Sequence, residues 1–166
     1  MAGLFNLFKR KETREKESIN KVMFNYLTEN KHDYRQHNGF IVLQLVSNND
    51  LVFKMYLRYV EDLSALSILS ELPLIMKPEL KETTLAFINK MNYGTDVFAI
   101  YNQTHTIFCK EMSIIDPVNF SGQILDAMFM IHYKFACAWL TVVQDILHGQ
   151  TDVDVLQKTF FKVAKS

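Results

Sequence analysis

"LAFINKMNYGTDVFAIYNQTHTIFCKEM", Leu85 to Met112, decides the fold. Its first part is the end of an amphipathic helix. With "KPEL" before it, Leu80, Leu85, Ile88 and Met91 form an apolar stripe at helical spacing. Asn92-Tyr93-Gly94 reads as a stop, with Gly94 suited to a left-handed C′ position. The second part alternates as two strands around a turn near Asn102-Gln103-Thr104. A helix that ends so that the chain can re-enter a sheet is a crossover helix.

Upstream, Pro78 fits the first helical position, where its missing N–H is no loss. "SALSILSELPLIM" places Leu66 and Ile68 in alternation with serines and predicts a strand. Before it, "GFIVLQLVSNNDLVFKMYLRYVED" predicts a hairpin turning at Ser47-Asn48-Asn49-Asp50. In its second arm Phe53, Met55 and Leu57 share one face, and Lys54, Tyr56 and Arg58 the other. "KETREKESINKVMFNYLTEN" predicts a first helix with Ile19, Val22, Met23, Tyr26 and Leu27 inward. Glu71 reads as the end of a strand in solvent.

Downstream, Asp116-Pro117 breaks the pattern, and a long helix runs from about Asn119 to His148. Its apolar residues occupy most of the circumference, which predicts burial on more than one side. A short last helix follows, with Thr151 and Asp154 as a capping pair and Val153, Leu156, Phe160 and Val163 docking it. The expected fold is therefore α+β, in the order α-β-β-β-α-β-β-α. It has a largely antiparallel five-stranded sheet packed by helices, plus the short C-terminal helix.

Composition narrows the function. The chain has 166 residues, 49% apolar and 22% charged, which suits one globular domain over residues 12–166. Its 18 basic and 18 acidic residues cancel, which speaks against a nucleic-acid partner. Cys109 and Cys137 have apolar neighbours and no CxxC spacing, and read as buried thiols of a cytoplasmic protein. Residues 1–11 form an amphipathic or disordered segment. Leu4, Phe5, Leu7 and Phe8 precede Lys9, Arg10 and Lys11, the reverse of a signal peptide. These four are the candidate membrane contact, the lesser reading beside a tail or a short packed helix.

Catalytic signatures are missing: there is no GxSxG, HExxH, phosphate loop or GxGxxG. His132, inside the apolar helix, reads as a hydrogen-bonded core or interface histidine. No cofactor, metal ligand or catalytic residue is assigned. Candidate partner-binding residues are Gln44, Lys54, Tyr56 and Arg58, on the less apolar sheet face. Met128, Phe129, Met130 and Trp139 read first as core, then as an adaptable apolar surface.

The element order and the segment Ile88-Asn89-Lys90-Met91-Asn92 resemble the YbjN family, whose fold is that of the type III secretion chaperones. The family shows a helix ending hydrophobic-Asn-x-hydrophobic-Asn, then strand, turn and strand. "WLTVVQDILHGQTD" is similar to its last helix, and the likeness spans about residues 15–155. It implies a bacterial, non-enzymatic protein-binding module, chaperone-like or regulatory, that binds a protein or peptide segment. It also implies a homodimer, with Leu80, Leu85, Ile88 and Met91 as candidate dimer contacts on one helix and the long helix as the alternative. The chain lacks the acidity usual in secretion chaperones. A small enzyme built from scattered polar residues and a membrane adaptor are the alternatives.

Overall fold

In the computed structural model, residues 18–95 and 97–165 are described. The first helix, α1 (Ile19–Glu29), starts where Ser18 turns its hydroxyl to accept from Lys21 N at 3.3 Å. Ile19, Val22, Met23, Tyr26 and Leu27 are its buried face. The charged run before Ser18 lies outside the described residues, as do Leu4, Phe5, Leu7 and Phe8.

Six strands follow: β1 (Tyr34–His37), β2 (Phe40–Val46), β3 (Val52–Val60), β4 (Ala65–Ile75), β5 (Phe98–Tyr101) and β6 (Thr106–Ile114). They form one sheet in the order β1-β2-β3-β4-β6-β5, with every neighbouring pair antiparallel. The sequence predicted five strands, and the sixth is β1. "YRQH" has no apolar alternation to reveal it, and its burial is confined to Tyr34. The overlooked signal is Asn38-Gly39. Both residues have positive φ, 49° and 78°, which two-residue hairpin turns demand and Asn-Gly supplies.

Between β4 and β5 the chain crosses the sheet through a 3-10 turn at Pro78–Leu80 and then α2 (Lys81–Asn92). β5 sits at the edge and β6 returns between it and β4, so β4 and β5 point the same way. Pro73 falls within the register shift between Glu71 and Ile75, and such an irregularity is one of the places where a strand tolerates proline.

Asn92 and Gly94 perform tasks other than those expected of them. Gly94 does not adopt positive φ. Thr95 Oγ1 donates to Met91 O at 3.1 Å at the helix end. Asn92 turns its amide onto β5: Nδ2 donates to Ala99 O and Oδ1 accepts from Ala99 N, each at 2.8 Å. A side-chain amide thus stands in for a neighbouring strand and closes the sheet edge at Ala99. Asn92→Ala leaves both backbone groups open. It is expected to cost about 1–3 kcal/mol in urea denaturation and to produce concentration-dependent self-association in light scattering. Unchanged stability and an unchanged monomer-to-oligomer balance would reject this role.

The long helix, α3 (Gly122–Leu147), is capped by Ser121 and packs on β4 and β6 with one side, and on α1 and α4 with others. Tyr26 Oη ties α1 to it by donating to Asp126 Oδ1 at 2.7 Å. α4 (Val153–Lys165) buries Leu156 and Phe160, with Val153 and Val163 half-buried. Its first turn is held by Asp152, whose carboxylate accepts from Asp154 N at 2.8 Å and Val155 N at 3.2 Å, rather than by Thr151. The helices pack on one face of the sheet, and no described element covers the other.

Candidate functional site

Strand alternation decides which side chains reach the open face. Along β3, Phe53, Met55 and Leu57 are buried under the helices, while Val52, Lys54, Tyr56 and Arg58 point outward. The register then lays out rows across the sheet. Gln44 pairs with Lys54, Lys54 with Glu71, Glu71 with Phe108, and Phe108 with Ile100. The next row runs Arg35, Val42, Tyr56, Leu69, Lys110, Phe98. A third contains Arg58, Ser67 and Met112. Gln44, Lys54, Tyr56 and Arg58 are thereby brought together on one surface.

Glu71 completes that cluster. Tyr56 Oη donates to Glu71 Oε2 at 2.8 Å, and Lys54 Nζ stands 4.0 Å from the same oxygen. Glu71 lies within a strand paired on both sides, not at a frayed end. Its phase in "SILSELPLI", shared with Ser67 and Leu69, is the signal that places it outward. Partial burial, then the hydrogen bond and charge of Glu71, push the Tyr56 phenol up to about 12. Tyr56 is therefore a neutral donor at physiological pH. Arg58 lies over the Phe40 ring at 5.3 Å, and Phe40 meets Tyr56 edge-on at 6.2 Å. An open groove of about 420 Å³ runs beside them, lined by Asp33, Tyr34, Arg35, Gln44, Lys54 and Tyr56 among others.

Toward β6 and β5 the same face turns apolar. Phe98 is 49% exposed, Ile100 46%, Met112 52% and Ile114 86%. Ile75 at the end of β4 is 71% exposed. Such a run of neighbouring exposed apolar side chains is uncommon on a monomer surface and marks an interaction site. Gln44, Lys54, Tyr56 and Arg58 mark the polar half of this face and not the apolar half, because "DVFAIY" is apolar in both strand phases and does not show which one is outward.

The other candidate sets are distributed differently. Ile88 and Met91 are 4% and 1% exposed, packed in the core beside Phe87, so the chain's own fold consumes that half of the α2 stripe. Leu80 and Leu85 remain half-buried. Trp139 and Phe129 are buried, Met128 is half-buried and Met130 is exposed. Cys109 and Cys137 are free and buried, and burial pushes both thiols up.

Beneath the sheet lies a polar string. Ser70 Oγ and His132 Nε2 are 3.0 Å apart, His132 Nδ1 is 3.4 Å from Glu111 Oε2, and Glu111 Oε1 accepts from Ser113 Oγ at 3.1 Å. Serine, imidazole and carboxylate in this order are the parts of a nucleophile relay. Ser70 and His132 are both 0% exposed, so the hydroxyl meets α3 rather than a substrate. The string bridges β4 and β6 to α3. Among the described residues no group of three or more His, Cys, Asp or Glu side chains is placed to hold a metal, and no helix is long and apolar enough to cross a membrane.

No protein-family profile and no curated protein matches the sequence. Solved structures that match the fold include the following two. YbjN from E. coli, a candidate transcription regulator, superposes with a TM-score of 0.54 at 11% identity, over 78% of this chain and 89% of that one. A chain of the ExsC–ExsE complex superposes with a TM-score of 0.53 at 8% identity, over 75% of this chain and 92% of its own. At such identities the likeness speaks for architecture, and the architecture of this chain is the YbjN-like, secretion-chaperone-like α+β fold that its helix order and asparagine placement imply.

Proposed function

We propose that this chain is a non-enzymatic protein-binding module, a chaperone-like or regulatory adaptor, whose open sheet face receives a partner protein. One observation carries the reading. Among the described residues the six-stranded sheet has helices on one face only, and the other exposes Phe98, Ile100, Met112 and Ile114 beside Lys54, Tyr56 and Arg58. Apolar surface next to a tyrosine–arginine cluster is the composition of binding hot spots. The similarity to a chain of a two-protein complex supports the same reading.

A photo-crosslinking amino acid in place of Ile100 or Tyr56 tests it in the native cell, with exposed Lys158 on α4 as the control position. A discrete protein adduct is expected from both face positions and not from Lys158. Adducts from Lys158 alone, or from no position, reject the face.

Dimerisation belongs to the same proposal and rests on the family resemblance and on half-exposed Leu80 and Leu85. A strict monomer in light scattering at high concentration removes the dimer and leaves the face reading intact.

A further inference from the structure

The open face has a charge of its own, although the chain as a whole has none. Among the described residues, Arg35, Lys54, Arg58 and Lys110 point outward with Glu71 as the one carboxylate between them, and Asp33 stands at the groove rim. Among the described residues no carboxylate forms an ion pair with Arg35, Arg58 or Lys110. Lys110 is the informative one. It lies between Leu69 and Phe98 in its row, with Phe108 and Met112 before and after it on the same face of β6. A cation set in an apolar field calls for a ligand that carries both an anion and hydrocarbon.

The ligand's backbone is constrained as well. The face of a sheet offers side chains only, because the strands' own N–H and C=O groups lie in its plane and are paired. A strand-like partner needs an edge: at the β5 edge beside the apolar strip Asn92 holds both outward groups of Ala99, and the other edge, β1, lies at the far side of the sheet from that strip. An occupant of the face must therefore satisfy its backbone internally, which a helix does. From Phe108 to Ile114 the apolar strip runs about 20 Å at ~3.4 Å per residue. At about 1.5 Å per residue, 13 or 14 residues of helix cover that length.

Resting on the sheet-face reading above, we propose that the occupant is an amphipathic helix of a partner protein, with an apolar stripe flanked by carboxylates. The stripe covers Phe98, Ile100, Phe108 and Met112, and the carboxylates meet Lys110, Arg58 and Lys54. The chain's own residues 4–11 suit the site less, because Lys9, Arg10 and Lys11 would face cations. A second copy's open face brings the same cations and repels for the same reason.

Two synthetic 14-residue helical peptides test the proposal, with one leucine stripe in common and flanks of glutamate in one, lysine in the other. Binding to the full chain is read by fluorescence anisotropy. The glutamate peptide is expected to bind about tenfold tighter or more, and the difference to shrink as salt screens it. Lys110→Glu, checked for its fold by circular dichroism, is expected to remove or reverse the preference. Ile100→Asp is expected to weaken both peptides. Equal affinities, a preference for the lysine peptide, or indifference to Lys110→Glu overturns the acidic helix. If neither peptide binds but Ile100 still crosslinks a partner, the helix chemistry is wrong and the protein-binding face stands. If crosslinking also fails, both fall.

Discussion

His132→Leu is expected to lower the unfolding free energy by about 3–5 kcal/mol, read as a shift of the urea midpoint at constant slope. The imidazole is 0% exposed and is the polar group that Ser70 Oγ meets at 3.0 Å and Glu111 Oε2 at 3.4 Å. Leucine fills a comparable volume but leaves the hydroxyl and one carboxylate oxygen against hydrocarbon. The loss comes from those stranded groups, since the wild-type contacts are not strong in themselves. The His132–Glu111 approach is longer than a well-formed charge-assisted hydrogen bond, and neither atom has a hydrogen-bond partner within the described chain. Replacing the whole string separates the two effects. Ser70→Ala with Glu111→Leu and His132→Leu removes both groups that His132→Leu strands and leaves only the half-exposed Ser113 hydroxyl without its acceptor, so stability is expected to return to within about 1–2 kcal/mol of the starting protein or above it. A single variant as stable as the parent would show that the string carries no stability. A triple variant as weak as the single one would show that shape, not polarity, sets the cost. Retained binding on the open face in the triple variant would separate this string from the protein's task.

The same string shows how far sequence reached. Its α3 member was legible, because a histidine in a helix that is apolar around most of its circumference has few explanations other than a satisfied core partner. Its partners were not, because Ser70 and Glu111 meet it only through strand pairing between β4 and β6. Periodicity located five strands and the four α-helices of the described residues, since burial imposes a period wherever one face is covered. It failed at β1, where "YRQH" lies at an edge with little to bury, and the turn chemistry of Asn38-Gly39 was the better guide. It gave the outward phase of Lys54, Tyr56 and Arg58 and the apolar stripe of α2, of which Ile88 and Met91 pack in the chain's own core. A helix stripe read alone does not say whether its cover is the same chain or another. The apolar half of the open face is not legible for the converse reason: a strand apolar in both phases does not say which phase the helices cover, and their placement leaves Phe98, Ile100, Met112 and Ile114 exposed.

Phe160→Ala is the second large effect, expected to cost about 3–5 kcal/mol. For a domain of this size each kcal/mol lowers Tm by about 2–4 °C, so the melt falls by roughly 6–20 °C. Phe160 is 0% exposed at the centre of an aromatic cluster. Its ring lies 5.3 Å from Trp139, 5.6 Å from Phe135 and 6.4 Å from Phe87, each in edge contact. Trp139 and Phe87 are themselves 5.1 Å apart, so one ring from α4 joins α3 to α2. Leu156 is the one other fully buried side chain of α4, and the Lys90–Asp154 pair that also ties it to α2 lies in solvent, where its charges are screened. An isolated helix of this length is marginal in water, so loss of the ring is expected to release α4 before the sheet opens. Trypsin then cuts after Lys158 and Lys162 in the variant under conditions where the parent is resistant. A melt within about 1 kcal/mol of the parent would mean that α4 docks by other means. Undocking also separates scaffold from site. α4 lies on the helical side of the sheet, and Ile100, Lys110 and Tyr56 lie on the other. A Phe160 variant that stays folded at low temperature should keep its crosslinks from the open face, whereas a partner seated on the helices would lose them.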